Sequence, residues 1–277
     1  MPKKVRALVL ACHPGPSAVV TAVALILGIA LGYEPLRLIL LGSAVLTGQL
    51  SIGWSNDWID AARDRAVHRV DKPVARGDVS ARTVRTAALV AALVTIVLSV
   101  LLGPIAAAAQ LVGVLAGWAY NAGLKATAAS IVPYVVCFGL LPAVVTFGQV
   151  HPQAPAAWVL LVGALLGTAA HFTNVLPDLD DDKRTGIRGL PQLLGARVSG
   201  LSAFGAVAAA AVLLAVSPGF PPSAISIVGL AASVVIAVVG VARVLRSRTS
   251  RTLMRLVMAG ALVDVVMLAF SGHFLVA

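Results

Sequence analysis

Carboxylates are scarce in this 277-residue chain, with 11 Asp and Glu against 21 Lys and Arg. Charged residues make up only 12% and aromatics 5%, while 59% of the chain is hydrophobic. Ordinary soluble domains carry roughly a quarter charged residues, so this composition excludes one. Cysteine is nearly absent too. Cys12 and Cys137 stand apart with no metal-ligand spacing, which argues against a disulfide scaffold or a thiolate metal site. Low-complexity segments and long linkers are missing, so residues 1–277 read as a single integral membrane domain. The net charge of +10 does not point to nucleic acid, because no recognised binding motif accompanies it.

What the chain does have is long apolar runs. Nine stretches of spanning length fall near 17–33, 36–54, 84–102, 104–121, 128–147, 156–176, 198–216, 222–241 and 253–275. The expected class is all-α, a polytopic membrane protein of nine transmembrane helices. The first run is long enough to span and lacks a distinct small-residue cleavage site, so a retained helix is expected rather than a signal peptide. Gly103-Pro104 alone joins runs three and four, which predicts a tight antiparallel pair. With the amino terminus cytoplasmic, 20 of the 21 Lys and Arg lie on the inner side and only Arg37 lies outside. The connections "GQVHPQAP" and "SPGFPPS" carry no charge. This asymmetry predicts an N-in, C-out orientation in the cell membrane, with the basic loops facing an anionic leaflet.

The few acids are concentrated. Asp57, Asp60, Asp64, Asp71 and Asp78 follow the second run, and Asp178, Asp180, Asp181 and Asp182 follow the sixth. Carboxylates gathered at a membrane boundary repel one another and are costly to desolvate. Asn56, Asp60 and Asp64 recur at i, i+4 and i+8, so a continuing helix places their oxygens on one face. Asp57 lies about 100° round from Asn56, near that face but not on it. Asp178 and Asp182 repeat the i, i+4 spacing, and Pro177 suits a first helical turn. Two oxygen-only rows suit a hard divalent cation, and Mg²⁺ takes one or two carboxylates together with water and phosphate oxygens. Arg63, Arg65, Arg69 and Lys72 follow the first cluster; Lys183, Arg184 and Arg188 follow the second. Acid for metal interleaved with Arg and Lys makes a polyanion site. At the inner mouth of an apolar bundle, the implied ligand has a diphosphate head and a hydrocarbon tail, as isoprenyl diphosphates do.

Asn56-Asp57-x-x-Asp60-x-x-x-Asp64 with "HRVDKPVARG", Asp178-x-x-x-Asp182 with "KRTGIRGLP", and "YNAGLK" at 120–125 resemble the motifs of the UbiA superfamily of intramembrane prenyltransferases. The resemblance covers most of the chain. It implies a helical bundle around a central cavity, with Mg²⁺ and an isoprenyl diphosphate held between the two aspartate motifs at the cytoplasmic side. It also implies catalytic roles for Asp60, Asp64, Asp178 and Asp182, and metal binding by these four with Asn56 and Asp57. Lys125, with Arg69 and Lys72, would hold the diphosphate. His13, Tyr120 and Asn174 would face the acceptor or the cavity. The implied reaction is Mg²⁺-dependent ionisation of the diphosphate and prenyl transfer to a lipophilic acceptor, such as a quinone precursor. Many relatives that prenylate aromatic acids carry Arg-Pro where this chain has His13-Pro14, which argues against a benzoate held through its carboxylate.

Two other functions fit parts of the pattern. Terpene cyclases of the same superfamily keep the aspartate motifs but need no acceptor. A cation transporter would place charge inside the spans, and Asp264 alone does so. His171 lies one turn from Asn174 and reads equally as cavity wall or interhelical hydrogen bonding. Trp118 reads as a membrane-boundary aromatic.

Overall fold

The computed structural model describes residues 3–176, 179, 186–219, 221–246 and 251–277. Its principal helices are α1 Lys3–Leu10, α2 Pro14–Ala30, α3 Pro35–Ile59, α4 Ala61–Ala66, α5 Pro73–Arg76 and α6 Ala81–Leu102. They continue with α7 Pro104–Ala122, α8 Val132–Phe147, α9 Ala157–Val175, α10 Leu190–Val216, α11 Ala224–Arg246 and α12 Arg251–Phe270. Eight of these are long and apolar enough to cross a membrane. A ninth is counted if α1 and α2, bent by 62° at a short break, form one span. Large apolar side chains such as Leu36, Leu115, Val228 and Phe270 stay exposed, as lipid-facing positions require.

Proline sets many of the starts. It stands in the first helical positions of α2, α3, α5, α7, α8 and α10, where a missing N–H costs nothing. The α6–α7 turn is Gly103 at φ 135 followed by Pro104, the tight pair expected. Several helix ends fall about five residues from the sequence reading, at Ile59, Arg246 and Phe270, and two differences are larger. The basic leader folds as α1, a helix too short to declare itself by periodicity. Run seven starts earlier, at Leu190, and breaks at Gly195 (φ 78).

Small residues and buried polar groups hold the bundle. A Cβ on Gly163 or Gly167 of α9 would collide with the Phe138 or Tyr134 carbonyl of α8, so these glycines permit close backbone approach. Between α3 and α6, Ser51 donates to the Ala88 carbonyl at 3.1 Å and Thr95 donates to Thr47 at 2.9 Å. Trp118 of α7 donates to Ser51 at 2.9 Å, so it is also an interhelical strut.

The two ends of the bundle differ. Leu27, Leu41, Leu102, Leu141, Val144 and Leu214 pack into one buried apolar cluster. They sit at helix ends opposite Asn56 and Asp60. Arg37 closes that end, donating to the carbonyls of Gly148 (2.5 Å), Leu102 (2.6 Å) and Gln149 (3.2 Å). The chain terminus also returns there, with Ala156 N–H bonded to Leu275 O and Ala277 N–H to Ala154 O, both at 2.9 Å.

Candidate active site

The polar end is built on α3. Its helical bonding passes unbroken through the α3–α4 junction: Asp60 N–H reaches Asn56 O at 3.0 Å, and Asp64 N–H reaches Asp60 O at 2.9 Å. The expected row therefore forms, and Asn56, Asp60 and Asp64 all line one cavity of about 490 Å³. Both carboxylates are buried. Asn121 of α7 orients the row. Its amide donates to Ile52 O (2.9 Å) and Ser55 Oγ (2.8 Å), and its oxygen accepts from Asn56 at 3.1 Å.

Cations crowd these acids. Lys125, on the turn after α7, reaches the two Asp60 oxygens at 2.5 and 2.6 Å. Arg63 lies 3.0 Å from Asp60 and 3.6 Å from Asp64. Burial pushes the Asp64 carboxyl above its ordinary range, against the pull of Lys72. Burial likewise pushes the Lys125 ammonium down, against the pull of Asp60. Both directions mark charges held out of bulk water.

Asp57, expected among the metal ligands, stands apart from the row because it lies about 100° round the helix from Asn56. It is absent from the cavity wall and bonded instead to Lys72 Nζ (2.6 Å) and His13 Nε2 (3.1 Å). Lys72 also reaches His13 Nε2 (2.9 Å) and Asn56 Oδ1 (3.2 Å). Two local features create this cluster. His13 takes a left-handed backbone, φ 56, unusual for a non-glycine residue and a mark of functional sites. Gly53 lets α3 press against the Cys12 carbonyl, where a Cβ would collide. Arg69 lines the cavity and pairs with Asp71 at 2.8 Å, and that pairing holds the Asp71 carboxyl at about 2.

The opposite wall is aromatic. Tyr120, Tyr134, Phe138, His171 and Asn174 all line the cavity. Tyr120 meets Tyr134 edge-on at 5.3 Å, and Asn174 donates to Tyr134 Oη at 3.1 Å. His171 is fully buried, with Nε2 3.2 Å from Ser130 Oγ. Ser130 also accepts the Leu190 N–H at 2.9 Å, tying α9, the turn before α8 and α10 together. Tyr134, Asn121 and Ser130 were not singled out by sequence. Only Asn121 carried a signal, as the second residue of "YNAGLK".

Asp178, Asp180, Asp181 and Asp182 lie outside the described residues, so the second acidic row is not placed. Among the described residues, no three His, Cys, Asp or Glu side chains gather as a cation site. The first row still fits Mg²⁺ in kind: two buried carboxylates and an amide oxygen face a cavity whose cations suit phosphate, and Mg²⁺ completes its shell with phosphate and water oxygens.

An all-helical, membrane-spanning bundle with acids and bases facing an apolar chamber defines the class of protein. The profile of the UbiA prenyltransferase family matches residues 17–263, and the chain belongs to that family. It is 31% identical over 200 residues to the 33 kDa chain of bacteriochlorophyll synthase from Cereibacter sphaeroides, covering 65% of this chain and 63% of that one. It is also 31% identical over 142 residues to 4-hydroxybenzoate octaprenyltransferase from Alkalilimnicola ehrlichii, covering 50% of this chain and 48% of that one. The matched segments thus span between about half and two thirds of these relatives. A UbiA homologue from Archaeoglobus fulgidus, solved with DMAPP and Mg²⁺, superposes with a TM-score of 0.75 at 13% identity over 97% of this chain and 98% of that one.

Proposed function

We propose that this chain is an intramembrane prenyltransferase, ionising an isoprenyl diphosphate with Mg²⁺ and passing the prenyl group to a lipophilic acceptor. The observation that carries this reading is one cavity with a charged end and an apolar interior. Asn56, Asp60, Asp64, Lys72 and Lys125 sit at the charged end, and Val20, Ile52 and Phe138 lie further in. The names of the relatives and the ligands of the structural neighbour agree with it.

Asn56, Asp60 and Asp64 would hold the cation, a role the motif resemblance also gives to Asp178 and Asp182. Mg²⁺ bound there would neutralise the departing diphosphate as a Lewis acid. Lys125 and Lys72 are positioned to exchange their carboxylate partners for phosphate oxygens, which supports leaving-group charge only as it develops. The allylic C1–O bond breaks with its electron pair retained by diphosphate. The apolar wall keeps water from the resulting cation. The acceptor's electron pair forms the new bond to C1, and the proton it then loses passes to the released diphosphate, which balances the step. Asp57, paired with Lys72 and His13, positions Lys72 rather than reaching the cavity.

The 20-to-1 division of basic residues supports placing this charged end at the cytoplasmic face. His13-Pro14 supports an acceptor other than a carboxylate-anchored benzoate, although one relative is named for 4-hydroxybenzoate. The test is release of inorganic pyrophosphate from geranyl diphosphate by protein in nanodiscs. Activity that needs Mg²⁺ and stops with EDTA is expected. Diphosphate intact under every chain length and acceptor tried sinks the reading. A cyclic hydrocarbon formed without acceptor would move it to the terpene cyclases.

A further inference from the structure

Past Asn56, the cavity leads into a second, smaller chamber of about 30 Å³ that shares Val20, Gln49, Ile52, Cys137 and Phe138 with it. Two primary amides face this chamber, Gln49 from α3 and Gln110 from α7. Gln110 is buried and donates to Ala44 O at 3.3 Å, while its oxygen accepts no bond among the described residues. Gln49 finds no hydrogen-bond partner among the described residues, although it lines both spaces. A primary amide offers two donors and an acceptor with two lone pairs. Gln110 is buried and Gln49 half-buried, so an apolar group placed against them costs most at Gln110, whose bonds it leaves unmet.

We infer that Gln49, supported by Gln110, is a subsite for a neutral hydroxyl or carbonyl oxygen carried by the acceptor. This rests on the prenyl-transfer reading above. Three observations select that ligand. The residues lining the small chamber include no Lys, Arg, His, Asp or Glu, so the bound group is uncharged. A prenyl tail has no hydrogen-bonding atom and would strand both amides. The position also matches in length. Gln49 precedes Asn56 by seven residues on the uninterrupted α3, a rise of roughly 10 Å. The Gln49 side chain spans part of that distance, and an aromatic ring with one oxygen substituent fills the remainder. Its carbon nucleophile then faces C1 while its oxygen reaches the amide. A carboxylate in place of that oxygen would meet no cation, which gives the His13 argument an independent second footing.

The probes are hydroquinone, 4-hydroxybenzoate and toluene. Each is measured for saturable binding to protein in nanodiscs with Mg²⁺ and a non-hydrolysable geranyl thiodiphosphate. Wild type is expected to prefer hydroquinone over both others. Gln49→Leu, which keeps the side-chain volume, is expected to lose about tenfold in hydroquinone affinity, the scale of one or two buried hydrogen bonds. It should leave toluene and geranyl thiodiphosphate binding unchanged, and the latter also reports that the variant is folded. Equal hydroquinone affinity in the two proteins, as a chamber that holds only water requires, overturns the proposal. So does absence of saturable hydroquinone binding, or 4-hydroxybenzoate binding as tightly. These are equilibrium readouts, so failure of pyrophosphate release would sink the function proposed above without deciding this one.

Discussion

Replacing Asp60 by Asn should separate the energetics of the fold from those of the reaction. In the native site the carboxylate accepts two short bonds from Lys125 and lies 3.0 Å from Arg63. It is only 6% exposed. Asp60→Asn removes the negative charge and turns one acceptor into an NH₂ that faces ammonium or guanidinium. Lys125, itself mostly shielded, loses its counter-ion. Removing one member of a buried pair costs about 3–5 kcal/mol. Lys125 keeps one amide oxygen, and Arg63, about a third exposed, can turn to water, so the low end, about 3 kcal/mol, applies. Adding Lys125→Met removes the stranded cation. Eliminating a buried pair as a unit is close to neutral, so the double variant should recover about 2 kcal/mol of that loss. Activity should not follow. Both variants should release pyrophosphate at least about a hundredfold more slowly, because a preorganised charge contact is gone. SDS-driven unfolding in mixed micelles and pyrophosphate release read the two quantities on the same samples. A double variant no more stable than Asp60→Asn would refute the coupled pair. Folded Asp60→Asn protein turning over within about tenfold of wild type would refute the placement of Asp60 in the diphosphate site.

Three further outcomes are expected. With single cysteines at Ser80 or Gln153 in a background lacking Cys12 and Cys137, an impermeant thiol reagent on intact cells should label position 153 and not 80; the reverse pattern inverts the orientation. His13→Ala should keep Mg²⁺-dependent pyrophosphate release within about tenfold, since Lys72 retains Asp57 at 2.6 Å; efficient prenylation of 4-hydroxybenzoate by wild type would instead contradict the acceptor assignment. Arg37→Met removes three carbonyl contacts at the end remote from the site. It should lower stability by about 3 kcal/mol at roughly 1–1.5 per bond and leave turnover unaltered, and a loss of turnover in folded protein would show the two ends to be coupled.

The parts of this molecule that could be read from sequence are those governed by local period and length. The apolar runs marked the spans, and the i, i+4 spacing placed Asn56, Asp60 and Asp64 together because α3 runs into α4 without a break. The same spacing did not separate Asp57, which was expected to bind metal and instead pairs with Lys72 and His13. What sequence did not disclose depends on contacts between distant residues. The cluster of His13, Asp57 and Lys72 needs the left-handed turn at His13 and the press of Gly53 on Cys12. Neither has a period. Tyr134 meets His171 and Asn174 only because Gly163 and Gly167 draw α8 and α9 together. Gln49 was not singled out by sequence, being one polar residue in an apolar run, and Gln110 joins it only through the packing of α7 on α3.

The Arg37 closure has a consequence for traffic through the protein. With three carbonyls tied to one guanidinium and residues 275–277 bonded to the same end, the bundle is packed there rather than open. The two halves of a cleaved substrate would also part in different directions. Pyrophosphate, fully charged, would leave by the mouth lined with Lys72 and Lys125. A prenylated product, too greasy for that mouth and facing a packed end opposite, would part through the sides of the bundle into lipid. Its departure would then depend on how readily the surrounding bilayer or micelle dissolves it, and the medium would become a participant in turnover.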